Sequence, residues 1–122
     1  YLKKIGHNDQ YGFNLLFLFV IKIFKDYFMK FKVSEENNIS TIFLNGEIDM
    51  EVVDEIRDGI FPLIDSGKEV HINMKDVQYM DSSGISMIIE SRQRAKEKNT
   101  SVELKELSQP VEKVLTMAKK FL

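Results

Sequence analysis

The sequence predicts an α/β domain of order ββαβαβα, its sheet mostly parallel and its helices mainly on one face, with an apolar helix in front. Three observations point there. After residue 29, short β-branched segments alternate with segments of helical period. Strands separated by single helices imply right-handed crossovers, and therefore parallel pairing. With only three such helices, and with His71 and Asn73 forming a polar side on one strand, one sheet face is expected to lack helices.

Lys30–Glu35 and Ile39–Leu44 read as a hairpin about the turn Glu36-Asn37-Asn38, with Ile42 and Leu44 on one face and Ile39, Thr41 and Phe43 on the other. Asn45-Gly46 is expected to end the second strand. Met50 to about Ser66 carries Val53, Ile56, Ile60, Leu63 and Ile64 at helical spacing, with Asp49 as N-cap and Gly67 at C′. Pro62 should kink or end this helix early, because it has no amide to donate and crowds the Asp58 carbonyl. Val70, Ile72 and Met74 alternate with His71 and Asn73 as a strand. Ser82 to about Lys98 is a helix buried through Ile85, Ile88, Ile89 and Ala95. Thr100–Leu107 is the last strand, with Val102 and Leu104 inward. Ser108-Gln109-Pro110 then opens a helix that faces inward through Val111, Val114, Leu115 and Ala118.

Composition narrows the function. The chain has 122 residues, 43% of them apolar and 30% charged, which suits one domain with an appendage. Seventeen Lys and Arg against nineteen Asp and Glu give −2, so no basic excess points to nucleic acid. With no cysteine, disulfides, thiol catalysis and cysteine-ligated metal are excluded. With His7 and His71 the only histidines, no His-rich metal site is expected. A cytoplasmic protein without cofactors is the expectation.

Residues 1–28 stand apart. They carry four Lys and two Asp, against thirteen Lys and Arg and seventeen Asp and Glu in residues 29–122. From Phe13 to Phe24, ten of twelve residues are apolar. This run is shorter than the ~20 residues a transmembrane helix needs, and no small-residue cleavage site follows it. On a helical wheel Asn14, Lys22, Lys25 and Asp26 share one arc, leaving a wide apolar face. The segment reads as a membrane-surface or partner-docking helix, as an extra helix on the domain, or as translated sequence upstream of a start at Met29. Residues 29–122 form the domain proper, and membrane contact is expected only through residues 13–24.

In open parallel sheets, sites gather at the carboxyl ends of strands. Two loops qualify: Gly46-Glu47-Ile48-Asp49, and Met80-Asp81-Ser82-Ser83-Gly84-Ile85-Ser86. Neither is a phosphate cradle with a Lys-Ser/Thr pair. His71 lies in mid-strand with no evident carboxylate to orient it, so Ser82, Asp81 and His71 are not a triad. No pair of carboxylates suits acid–base work, and an enzyme is not expected. A hydroxyl at Ser82 or Ser83 can cap the following helix, and the same position favours a phosphoryl group through free amides and the helix dipole.

The segment Val77-Gln78-Tyr79-Met80-Asp81-Ser82-Ser83-Gly84-Ile85-Ser86 resembles the signature of STAS domains of the anti-sigma factor antagonist type. Leu44-Asn45-Gly46-Glu47-Ile48-Asp49 resembles a second element of that family, and Ser108 to Thr116 its last-helix opening. The likeness spans residues 29–122 in order. It implies a non-enzymatic partner switch, bound when unphosphorylated by an anti-sigma factor that is also a serine kinase, and reset by a serine phosphatase. Carried over by motif, the phosphorylated residue is Ser82. The implied partner-binding surface is Asp49, Asp81, Ser82, Ser83, Gly84 and Ile85. Where the family usually has Leu-Gly after the motif glycine, this chain has Ile85-Ser86. STAS modules also serve as regulatory pieces of anion transporters and lipid-transport complexes, and the apolar residues 13–24 would suit such an attachment. A nucleotide-binding or hydrolysing protein is the third, remote reading.

Overall fold

The computed structural model describes residues 15–21 and 31–119. Helical residues 15–21 (α1) precede β1 (Phe31–Glu36), β2 (Ile39–Ile48), α2 (Val53–Asp65), β3 (Glu69–Met80), α3 (Ser82–Glu97), β4 (Val102–Lys105) and α4 (Gln109–Met117). The boundary at residues 28 and 29, the first expected strand residue Lys30, and the ends of the apolar run at Phe13, Asn14 and 22–24 lie outside the described residues.

The expected order holds. The sheet runs β1-β2-β3-β4, antiparallel between β1 and β2 and parallel across β2, β3 and β4. Asn37 and Asn38 take positive φ at the hairpin, a conformation that Asn tolerates better than most residues. One face of the sheet, through Ile42, Leu44, Ile72 and Met74, forms a single core with Ile56, Ile60 and Ile64 of α2, Met87 and Ile88 of α3, and Val111 of α4. All three helices therefore cover one face. Thr41, Phe43, His71, Asn73, Glu103 and Lys105 lie on the other, as the register places them. Asn73 is nevertheless buried there, because Glu106 accepts from its amide. Two cross-helix ion pairs, Arg57–Glu90 and Arg94–Asp65, tie α2 to α3, and the Arg94 guanidinium sits 4.6 Å from the Phe61 ring centre.

Several boundaries differ from expectation. Asn45-Gly46 does not end β2, which continues to Ile48. The register shifts twice in this stretch, each time because β3 supplies one extra residue, and Gly46 (φ +76°) accommodates the distortion. For the same reason β3 runs on to Met80 through residues that break simple alternation. Helix α2 begins at Val53, with Val52 as N-cap, not at Met50 with Asp49 as N-cap. Pro62 does not end it: Asp58 and Pro62 are both exposed, so water can serve the orphaned carbonyl while Ile60 and Ile64 anchor the turn in the core. Gly67 (φ +85°) is the C′ residue, donating to the Ile64 carbonyl. Strand β4 is only four residues long. Helix α3 buries Gly84, Met87, Ile88, Ser91 and Ala95, leaving Ile85 and Ile89 half-buried. In α4 only Val111 is fully inward, while Val114, Leu115 and Ala118 are half-buried. The expected opening of α4 at Ser108-Gln109-Pro110 holds, and Ser108 caps the helix by accepting from the Val111 amide.

Candidate functional site

Strands β2 and β3 end side by side. Ile48 pairs with Met80, and the Ile48 carbonyl accepts from the Asp81 amide at 3.2 Å, so Asp49 and Asp81 leave the sheet from neighbouring strand ends. The two loops singled out in the sequence thus meet at the carboxyl end of the parallel strands.

Asp81 is the N-cap of α3. Its Oδ1 accepts from the Ser83 amide at 2.9 Å and also from the Ser83 hydroxyl, while its carbonyl accepts from the Gly84 and Ile85 amides. Neither Ser82 nor Ser83, the two caps considered from sequence, fills that role. The Ser83 hydroxyl bond is the main cause holding the Asp81 carboxyl below its ordinary pKa; partial burial opposes it, and the amides of Ser83, Gly84 and Met50 reinforce it. The two strand ends are tied where the Asp81 amide donates to the Ile48 carbonyl.

The two serines are thereby distinguished. Ser83 is tied to Asp81, whereas Ser82 is exposed at the first position of α3 with no hydrogen bond on its hydroxyl among the described residues. Gly84 is buried: a Cβ there would lie 2.6 Å from Met80 Cγ and 3.0 Å from its sulfur. Its role is to let α3 pack on the end of β3. Asp49 accepts from the Glu51 amide at 3.0 Å, which orders the turn before α2.

Beside Ser82 lies a groove of about 460 Å³ between α3 and α4, walled by Ile85, Ile89, Val114, Met117 and Ala118, with Asp81, Ser82 and Ser86 on its polar side. Sequence reasoning placed most of these apolar residues in the core. One signal was available: Ile85, Met87, Ile88 and Ile89 are too many apolar positions for a single stripe, so one edge had to face elsewhere. Met117, 74% exposed, lines the groove and was also missed.

His71 differs from expectation. It has carboxylates within reach: Nε2 lies 2.6 Å from Glu69 and 3.6 Å from Glu103. The cluster lies on the open sheet face rather than with Ser82, and Glu103 is also paired with Lys105.

An α/β module with helices on one sheet face, and a serine exposed where its second parallel strand meets a helix, defines the class. Residues 30–121 match the family model described as STAS domain, and the chain belongs to that family. It is 32% identical over 77 residues to the anti-sigma-B factor antagonist of Bacillus subtilis (strain 168), a match covering 63% of this chain and 71% of the relative. Among solved structures, the anti-sigma factor antagonist SpoIIAA in its unphosphorylated form is similar at TM-score 0.64 and 24% identity, over 73% of this chain and 80% of that one. The phosphorylated form of the Bacillus cell fate determinant SpoIIAA is similar at TM-score 0.59 and 23% identity, over 72% and 82%. An anti-sigma factor antagonist from Mycobacterium paratuberculosis is similar at TM-score 0.59 and 19% identity, over 75% and 80%. Among the described residues, no helix is long and apolar enough to cross a membrane.

Proposed function

We propose that the chain is an anti-sigma factor antagonist, a cytoplasmic, non-catalytic partner switch. In its unphosphorylated form it binds an anti-sigma factor that is also a serine kinase, and so frees a sigma factor. Phosphorylation of Ser82 releases it, and a serine phosphatase restores it. The observation that carries this reading is the inequality of two adjacent hydroxyls: Ser83 is held by Asp81, while Ser82 stands exposed beside it.

In the transfer step the Ser82 oxygen attacks the γ-phosphorus of ATP held by the kinase. The bond to the β-phosphate oxygen breaks, ADP leaves, and the hydroxyl proton passes to a base of the kinase. This adds about −1.5 to −2 charges near neutral pH. The phosphate meets the positive end of the helix dipole at the start of α3, although the Ser83, Gly84 and Ile85 amides there are already held by Asp81. It also sets a dianion next to Asp81 and near the Asp49 loop. The local helix is thus at least as stable, and the partner surface is strongly altered. Asp49, Asp81, Ser83 and Ile85 frame the contact surface, with Gly84 acting beneath it. Neither nucleic acid nor a cofactor takes part.

Incubation with the kinase and ATP, followed by mass spectrometric mapping, tests the assignment. Phosphate on Ser82 is expected, and Ser82→Ala should abolish it while Ser83→Ala and Ser86→Ala leave it possible. Phosphate on Ser83 or Ser86 in the native chain would move the site. The second reading, a regulatory module of an anion transporter or lipid-transport complex, draws on the exposed apolar side chains of α1. It predicts no phosphate on any serine with a kinase active on its own substrate.

A further inference from the structure

The sheet face opposite α2, α3 and α4 carries a group of side chains that the partner switch does not use. Glu69 and His71 sit two residues apart on β3, so their side chains project on the same side. Glu103 of β4 is the register partner of His71 and joins them there. One carboxylate oxygen from each glutamate and an imidazole nitrogen all lie within 4.8 Å of one another. His71 Nε2 is 2.6 Å from Glu69 Oε2 and 3.6 Å from Glu103 Oε2. We propose that Glu69, His71 and Glu103 form a binding site for a divalent transition-metal ion of the zinc class, with water filling its remaining positions.

Geometry, chemistry and charge support this ligand class. Zinc holds nitrogen and oxygen ligands at about 2.0–2.2 Å, which sets neighbouring ligand atoms roughly 3–3.6 Å apart. The spacings at His71 lie close to that range, so small side-chain rotations suffice. The backbone supplies the rigidity, because β3 and β4 pair without a register shift from Val70 and Val102 to Asn73 and Lys105. Carboxylates alone would favour Mg²⁺ or Ca²⁺; the imidazole moves the preference to zinc-class ions. The group also gathers positive charge already. Lys105 Nζ lies 2.9 Å from Glu103 Oε2, the same oxygen that faces His71. Lys105 is thus the competitor that an incoming ion displaces from Glu103. Coordination through His71 Nε2 likewise replaces its hydrogen bond to Glu69, and the proton held there is released to solvent. His71 precedes Met80 by nine residues, ~30 Å along β3, so the site is independent of any phosphorylation at Ser82.

Calorimetric titration of the full chain with Zn²⁺ tests the site, since with no cysteine and His7 the only other histidine, competing strong ligands are few. One saturable ion per chain is expected, unchanged in His7→Ala and not displaced by an equal concentration of Mg²⁺. His71→Ala and Glu103→Gln should each weaken binding at least about tenfold, because losing a residue that merely orients a ligand commonly costs that much. Glu103 is exposed and glutamine is nearly its isostere, so Glu103→Gln keeps the test valid should His71→Ala unfold. Lys105→Met should bind Zn²⁺ several-fold more tightly, because the competing charge is gone. Thermal melting of the metal-free variants checks that each is folded. Absence of saturable binding in the native chain overturns the proposal and leaves Lys105 as the cation of the cluster. So does Zn²⁺ binding that persists in Glu103→Gln, disappears in His7→Ala, yields to equimolar Mg²⁺, or gains nothing from Lys105→Met.

Discussion

Both strand-to-helix loops at the site begin with an aspartate directly after a strand, yet they use it differently. At the end of β3 there is no intervening turn: Asp81 caps α3 itself, ties down Ser83, and leaves Ser82 exposed as the first helical residue. At the end of β2, a turn of three residues separates Asp49 from α2, whose N-cap Val52 makes no side-chain capping bond. Asp49 orders that turn through the Glu51 amide, and the two strand ends are joined where the Asp81 amide donates to the Ile48 carbonyl. Capping and presentation are therefore divided. Asp81 holds the architecture so that Ser82 and Asp49 can be altered or engaged at small structural cost.

That division can be broken from the structural side first. Gly84→Ala should have the largest effect, destabilising by about 1–3 kcal/mol as overpacked sites do, because the added methyl meets Met80 near its Cγ. Denaturant midpoints would show it. Asp81→Ala should follow at about 1–2 kcal/mol, the loss of a well-bonded N-cap. Asp49→Ala should cost less than about 0.5 kcal/mol, since it serves an exposed turn and caps no helix. If Asp49 serves the partner, its loss should weaken binding by more than it lowers the midpoint. Acid provides the finest distinction. The Asp81 pKa is depressed in the folded protein, so its contribution is present above its ordinary unfolded value near ~4 and is lost as pH falls through the lowered folded value. Asp81→Asn keeps a competent cap, so it should remove part of the stability difference between pH 7 and pH 3, measured by thermal melting.

Much of this was legible in the chain because periodicity reports burial directly. Ile56, Ile60 and Ile64 announce α2, and Ser108-Gln109-Pro110 announces α4, since a capping hydroxyl and a first-turn proline share one geometry. Asn45-Gly46 misled because a chain-reversing turn and a strand irregularity favour the same residue, one that tolerates positive φ. The far half of β3 was hidden by its extra residues, which shift the inside–outside phase at Lys75 and Asp76. The two loops were legible as candidates, but which of Asp81, Ser82 and Ser83 caps was not. All three are good N-caps, and the choice is made by where Met80 leaves the sheet. The groove was invisible for a similar reason. Ile89 and Val114 look like core residues until the packing of α3 and α4 shows that they do not close on each other.

The central claim is that Ser82 governs partner affinity without supporting the fold. It is tested most directly by measuring, on the same preparations, the affinity for the serine-kinase anti-sigma factor and the denaturant midpoint of Ser82→Ala and Ser82→Asp. Ser82→Ala should match the native chain closely in both, because Asp81 and not Ser82 is the cap. Ser82→Asp should be at least as stable, since a negative charge suits the start of a helix. It should also bind at least about tenfold more weakly, a difference of ~1.4 kcal/mol that one like-charge contact in an interface readily exceeds. Native-like affinity in Ser82→Asp, or a parallel loss of affinity and stability in Ser82→Ala, would contradict the account.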